Sequence, residues 1–168
     1  MATGDKIERK YLGHFIDSAF DATYASSAYV RLGKDLEEYN IEMNADTEEK
    51  ENILGETSFN VKGYKPQSSV DTYYAYEGDA LYTKLKAIID GRSTGSQLKT
   101  SVVDVPMSVV SGTITPSSTD TYREDVIVVP KSIGGDGTGV NIPFEIHYVG
   151  NRTKGTFDLS TKEFTAAV

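Results

Sequence analysis

The sequence predicts a mainly β protein: an antiparallel β-sandwich or barrel with one flanking α-helix, a long hairpin and an extended N-terminal arm. Three observations lead there. Apolar and polar residues alternate with period two over most of the chain beyond residue 91, the pattern of half-buried strands. One segment alone, Asp79–Asp90, carries an apolar stripe at helical spacing. Between Leu36 and Glu56, eight carboxylates and a single lysine occupy a stretch that otherwise reads as ordered strand.

The elements follow in order. Residues 1–28 have little period and are rich in small polar residues and tyrosine, which predicts an arm ordered by something outside its own domain. Residues 29–168 then form a single domain. From Glu38 the alternation starts: Tyr39, Ile41 and Met43 on one face, Glu38, Asn40, Glu42 and Asn44 on the other. Asp46 and Glu49 have the spacing of a capping box, so a short helical turn is expected there, with Gly55 allowing a sharp return. Alternation resumes with Phe59 and Val61 opposite Glu56, Ser58, Asn60 and Lys62. The two runs make a long hairpin with an acidic tip. Val70–Tyr76 is short and tyrosine-rich.

In the helix, Leu81, Leu85, Ile88 and Ile89 form the stripe, Asp79 can cap the start and Gly91 the end. Six strands are expected after it: Leu98–Val105, Val109–Thr115, Tyr122–Val129, Val140–Tyr148, Gly155–Leu159 and Phe164–Ala166. Pro143 hints at an edge or a bulge. "VGNR" and "LSTKE" read as hairpin turns, and "IGGDGTG" as a loop.

Bulk properties bound the function. The 168 residues are 38% apolar, enough for one core. No apolar run approaches the ~18 residues of a membrane span, and no apolar signal core opens the chain, so folding in a cytoplasm is expected. The absence of cysteine excludes thiol catalysis and cysteine metal sites. Net charge is −8, with 13 acids against 6 bases in residues 1–56 and 12 against 11 in the rest. That acidic bias repels polyanions and disfavours tight nucleic-acid binding.

Catalytic groups are scarce. His14 falls in the arm and His147 on the polar side of a strand, both expected as surface histidines. "GGDGTG" lacks the GK[ST] of a phosphate loop. Asp136 alone falls short of the 6–8 oxygens that calcium takes. Glu38 and Glu42 share a solvated face with no apolar pocket to make an acid/base pair of them. "NRT" at Asn151–Thr153 matches a glycosylation acceptor but follows no export signal. No cofactor is called for. An arm and a protruding hairpin make most sense when neighbouring subunits order them.

Three stretches, taken together, resemble the tail tube proteins (major tail proteins) of tailed bacteriophages. They are "YVRLGKDLEEYNIEMNADTEEKENILGETSF", "GDALYTKLKAIIDGR" and "VIVVPKSIGGDGTGVNIPFEIHYVGNRTKGTFDLSTKEFTA", which cover most of residues 29–166. The resemblance implies a non-enzymatic virion protein, assembled in the bacterial host cytoplasm into stacked hexameric rings. The resulting tube would conduct double-stranded DNA, alongside tape-measure, terminator and other tail proteins, with no membrane insertion of its own. Glu38, Asn40, Glu42, Asn44, Glu56, Ser58, Asn60 and Lys62 would face the lumen, a wet negative wall along which DNA slides. Tyr39, Ile41, Met43, Phe59 and Val61 would face the subunit core. Asp46, Glu48, Glu49 and Glu51 would meet a neighbouring subunit or ring through bases such as Lys6, Arg9, Lys10 or Arg31. Two other readings are the inner tube of a contractile tailocin or secretion device, and a monomeric binding or decoration module.

Overall fold

The computed structural model describes residues 5–168. After a short helical turn at Arg9–Tyr11, the strands are β1 (Leu12–Asp17), β2 (Tyr29–Leu32), β3 (Ala45–Glu51), β4 (Thr57–Tyr64) and β5 (Gln67–Val70). Helix α1 (Ala80–Gly91) follows. The second half holds β6 (Lys99–Val110), β7 (Thr113–Pro116), β8 (Thr121–Pro130), β9 (Gly134–Asp136), β10 (Gly139–Asn141), β11 (Phe144–Asp158) and β12 (Glu163–Ala166). The main sheet runs β12-β11-β8-β6-β1-β2, with β5 on β11 and β7 on β6, and curls into an antiparallel half-barrel. Two ribbons stand apart from it, β3–β4 and β9–β10.

The curl can be read from one contact. Phe15 on β1 and Phe157 on β11 have ring centroids 4.5 Å apart, although β6 and β8 lie between their strands. In a flat sheet three strand spacings of ~4.8 Å would separate them. The bend arises in β11, whose pairing with β8 slips twice, between Tyr148 and Gly150 and again before Thr153. Gly150 and Asn151 take positive φ there, 107° and 56°. The segment "VGNR", expected as a hairpin turn, is therefore a bulged stretch within one long strand, and bulges bend the strand that carries them.

Two apolar clusters fill the two faces of the sheet. Ile16, Val102, Val126, Val128, Phe144 and Ile146 lie on one, covered by Leu81 and Leu85 of α1 and by Tyr73. Phe15, Val103, Val105, Met107 and Phe157 lie on the other, with Tyr11 and Tyr29. Each fully buried side chain of this size contributes about 1.5–3 kcal/mol. The helix keeps its expected start: the Asp79 carboxylate accepts from the Leu81 amide at 2.9 Å. Its end shifts by one residue, with Gly91 in the last turn and Arg92 as the left-handed cap, φ 46°.

Several expectations are corrected. The arm over residues 1–28 contains β1, an inner strand hydrogen-bonded to β2 and β6. Its first four residues lie outside the described ones. Asp17 is buried and its carboxylate accepts from the amides of Ala19, Asp21 and Ala28. Asp21 does the same for Thr23 and Ser26, and those bonds hold its carboxyl far below the usual range. The 18–28 loop is thus tied to the domain by its own aspartates. Residues 38–44 are not a regular strand; their one ladder contact is the bridge Glu42–Gln67. The hairpin's first strand begins only at Ala45, and the turn expected at Asp46–Glu49 lies inside it. Pro143 marks the break between β10 and β11, and the glycine-rich loop is the small β9–β10 ribbon.

Candidate assembly interface

The β3–β4 hairpin has few contacts with the rest of the chain. Almost every residue on both its faces is exposed. Cross-strand register sorts the side chains. Thr47 pairs with Val61, Glu49 with Phe59 and Glu51 with Thr57, so Glu49, Glu51, Phe59 and Val61 share one face. Glu48, Lys50, Ser58 and Asn60 share the other. On that second face Glu48 takes both Lys50 and Lys62, each at 3.2 Å, so its carboxylate is fully paired and the cluster keeps one net positive charge. On the first face Glu49 and Glu51 have no cation within 4.0 Å among the described residues, and Phe59 and Val61 are 68% and 41% exposed. At the tip, Asn52 accepts from the amides of Leu54 and Glu56 and donates to the Glu56 carboxylate at 2.7 Å. Gly55 at φ 77° completes the return expected of it. The closed turn leaves Ile53 wholly, and Leu54 largely, in solvent.

The expected division of these residues is thereby corrected. Tyr39 is buried and Ile41 packs against the main core, as expected. Met43, Phe59 and Val61, expected to face the same core, are exposed. The physical reason is that β3–β4 leaves the sheet, so no core lies on either side of it. The eight residues expected at a lumen wall are all exposed but do not form one strand face. Ser58, Asn60 and Lys62 lie along β4, Glu56 sits at the tip, and Glu38, Asn40, Glu42 and Asn44 follow the irregular approach to β3.

A groove lies beside β2, the outer strand of the main sheet. Its volume is about 470 Å³, and Leu12, Leu32 and Leu36 line it together with Arg9, Lys10, Arg31, Lys34, Glu37 and Glu38. Four cations thus face two carboxylates. Arg9 donates to the carbonyls of Leu12 and Tyr39, at 2.5 and 3.0 Å, and Arg31 to that of Lys10 at 2.8 Å. Among the described residues neither guanidinium has an ion-pair partner. Lys34 lies over the ring of Tyr76, 3.2 Å from its centre. Lys10 is exposed and pairs with Glu8 at 2.7 Å, a hydrogen bond that raises its pKa. Lys6 is exposed. Asp46 is exposed at the base of the hairpin, opposite Gly63. The resemblance suggested Lys6, Arg9, Lys10 and Arg31 as basic partners of the hairpin; the groove brings together Arg9, Lys10 and Arg31 without Lys6, and adds Lys34 and the three leucines. Their proximity comes from packing residues 12, 32 and 36 side by side.

Neither histidine is free. His14 is buried, not on the surface as expected. Its Nδ1 lies 2.5 Å from Asp104 Oδ1, across the β1–β6 ladder, and its ring centre 4.4 Å from that of Tyr39. Its Nε2 is buried too, so the pair joins strands and is closed to a substrate. The Tyr39 hydroxyl meets that of Tyr148 at 3.1 Å, and burial pushes the Tyr39 pKa up to about 12. His147 lies 3.3 Å from Glu145, itself paired with Lys131 at 3.0 Å. A second buried polar node ties the loop 18–28 to the sheet. Asp125 accepts from Tyr24, Asn151 and Lys99. Burial works against its charged form, but those donors hold its carboxyl below the usual value. Among the described residues, no group of three His, Asp or Glu side chains could hold a metal ion.

No protein-family model matches the chain, and no curated protein matches it. Solved structures do match its fold. One is the sheath/tube terminator, in the extended state, of PVC, an extracellular contractile injection system. It has a TM-score of 0.55 at 11% identity, covering 90% of this chain and 97% of that one. Another is the tube-terminating cap of the anti-feeding prophage, at 0.52 and 10%, covering 91% and 93%. A third comes from the extended PVC sheath–tube complex, at 0.51 and 10%, covering 88% and 90%. At this identity the shared property is the fold. The chain has a mainly β fold that also occurs in components of an extracellular contractile injection system and of the anti-feeding prophage.

Proposed function

We propose that this protein is a structural subunit of a phage-tail-like tube, built of homohexameric rings that stack along a common axis. One observation carries the reading. The β3–β4 ribbon leaves Phe59, Val61, Ile53 and Leu54 exposed at 68%, 41%, 103% and 78%, with no core of its own to receive them. A two-stranded hairpin alone is marginal in water, and exposed apolar side chains grouped on one element mark a contact with another molecule. The fold shared with a sheath/tube terminator and with a component of a sheath–tube complex supports this class of assembly. In a phage tail such a tube conducts double-stranded DNA. Glu38, Asn40, Glu42, Asn44, Glu56, Ser58, Asn60 and Lys62, drawn from β4, the hairpin tip and the approach to β3, then contribute polar, net negative surface that keeps DNA from sticking. In a contractile injection device the same tube carries another cargo. Tape-measure and terminator proteins are the partners in either case, and the virion or injection particle is the location.

A second reading, a terminator that caps a tube as a single ring, is favoured by the match to a tube-terminating cap. Negative-stain electron microscopy over a concentration series separates the two. Hollow tubes of variable length support the tube subunit, and single rings that never stack support the terminator. Particles that remain monomeric at the highest concentration would overturn both. Lysine at Glu38 and Glu42 tests the wall. Unchanged DNA delivery by particles carrying the variant subunit would remove the sliding role.

A further inference from the structure

A small pocket of about 220 Å³ lies toward the β12 edge of the main sheet, where the 18–28 loop, β8 and the β11–β12 turn meet. Arg123 of β8 lines it. The guanidinium carbon lies 3.6 Å from the ring centre of Tyr24 and 4.8 Å from that of Phe164. Both rings are held in place. The Tyr24 hydroxyl donates to Asp125 and accepts from Asn151 at 3.0 Å. The Phe164 ring fills the space beside Gly155, where a Cβ would come within 2.4 Å of it. The rings position the guanidinium but do not neutralise it, and among the described residues no carboxylate lies within 4.0 Å of it. Its Nε is buried without a hydrogen-bond partner, and so is the Oγ of Ser27 in the same pocket. The Tyr29 hydroxyl beside Ser27 is already engaged with Ser101 at 2.9 Å. Lys162 adds a second cation and Glu163 one carboxylate, neither of them ion-paired among the described residues. Two cations against one acid leave the pocket with one net positive charge, in a chain whose net charge is −8.

A buried donor left without an acceptor costs stability. A guanidinium presents its N–H groups as a rigid planar fork that matches the two oxygens of a carboxylate. We propose that this pocket binds a small free carboxylate, which takes the Arg123 fork, accepts from the Ser27 hydroxyl and has Lys162 as a nearby charge. One net positive charge suits a monoanion. The volume suits a ligand of a few heavy atoms, since it falls below the ~300 Å³ at which drug-sized sites begin. The two rings hold Arg123 ready, so little side-chain entropy is lost on binding. The bound carboxylate joins Ser27 of the loop to Arg123 of β8 and to Lys162 just before β12. It thereby fastens the 18–28 loop at a second point, beyond the bond from Tyr24 to Asp125. The pocket is formed within one chain, so the inference does not depend on the tube reading.

The test is a titration of the full-length, isotopically labelled protein with sodium acetate, followed by nuclear magnetic resonance at constant ionic strength. Sodium chloride replaces acetate in the control, and inorganic phosphate is the second probe. The Nε–H resonance of Arg123, assigned by its loss in Arg123→Lys, should move saturably with a Kd on the order of 1 mM. The backbone amides of residues 24–27 should move with the same Kd. Arg123→Lys keeps the charge but loses the fork, and should weaken acetate binding about tenfold as read from those amides. Ser27→Ala should weaken it about threefold, and it carries the test alone if circular dichroism shows the Arg123 variant to be unfolded. Shifts that chloride reproduces, that fail to saturate, or that neither substitution weakens overturn the proposal. Saturable binding of phosphate with no response to acetate overturns the carboxylate assignment. None of these outcomes turns on whether the protein forms rings or tubes, so the site and the tube reading fail separately.

Discussion

The chain contains two long antiparallel ribbons, and they are treated in opposite ways. In β8–β11 the ribbon is enclosed: Val126, Val128, Phe144 and Ile146 are wholly buried between the sheet and α1, and Phe157 packs on Phe15. In β3–β4 the ribbon projects, and Phe59, Val61, Ile53 and Leu54 meet solvent. Both carry apolar residues in strand patterns. What differs is whether a second layer exists to receive them. The comparison teaches that an alternating pattern states which side of a strand wants cover, and does not say whether the cover comes from the same chain.

The comparison can be broken or sharpened by substitution, beginning where the loss is largest. Phe144→Ala empties a fully buried site between β8, β5 and Tyr73. It should cost about 3–5 kcal/mol in chemical denaturation. Asp125→Asn removes a buried charge that three side chains serve, and should cost about 1–3 kcal/mol at pH 7. Because the folded pKa lies below the ordinary carboxylate value, that stability is present above about pH 4 and is lost as pH falls through the folded value. Wild type and variant should therefore converge in acid, which pH-dependent unfolding measures. Asp79→Ala deletes the N-cap of α1 and should cost about 1 kcal/mol, read as a lower midpoint of thermal melting.

The smallest effect on folding is the most telling. Phe59→Ala with Val61→Ala should change the stability of the separate chain by no more than about 0.5 kcal/mol, since both side chains are exposed there. The same pair should impair assembly, seen by sedimentation. Hydrogen exchange gives the matching readout: amides of residues 45–64 should exchange quickly in the monomer and slowly in the assembled form, while those of β8 stay protected in both. Equal protection of the hairpin in monomer and assembly would show that it needs no partner.

Much of the architecture was legible in the residues. Period-two alternation marked β8, β12 and the first half of β11, and the stripe of Leu81, Leu85 and Ile88 with the Asp79 cap marked α1. What escaped did so for identifiable reasons. Strand β1, "LGHFID", carries Phe15 into one apolar cluster and Ile16 into the other, so its two faces are both covered and no alternation of polarity survives to be read. The pair Gly150–Asn151 has the composition of a turn, but its positive φ values serve a bulge because β8 continues alongside. The acidic hairpin was recognised, though its first strand starts later than the pattern from Tyr39 to Met43 suggested: that pattern reflects Tyr39 and Ile41 packing inward from an irregular segment.

For the candidate interface the division is similar. The sequence by itself determined the concentration of acid in residues 36–56, the basic residues near the start of the chain, the lack of cysteine and the class of fold, because charge and hydropathic period are local properties. Only the tertiary structure decided that Glu49 and Glu51 share a face with Phe59 and Val61 while Glu48 is spent on two lysines, since that depends on cross-strand register. Only it placed His14 against Asp104 and drew Leu12, Leu32 and Leu36 beneath Arg9, Arg31 and Lys34. These groups are brought together by pairing and packing between segments far apart in the chain, and no local pattern records which segments will meet.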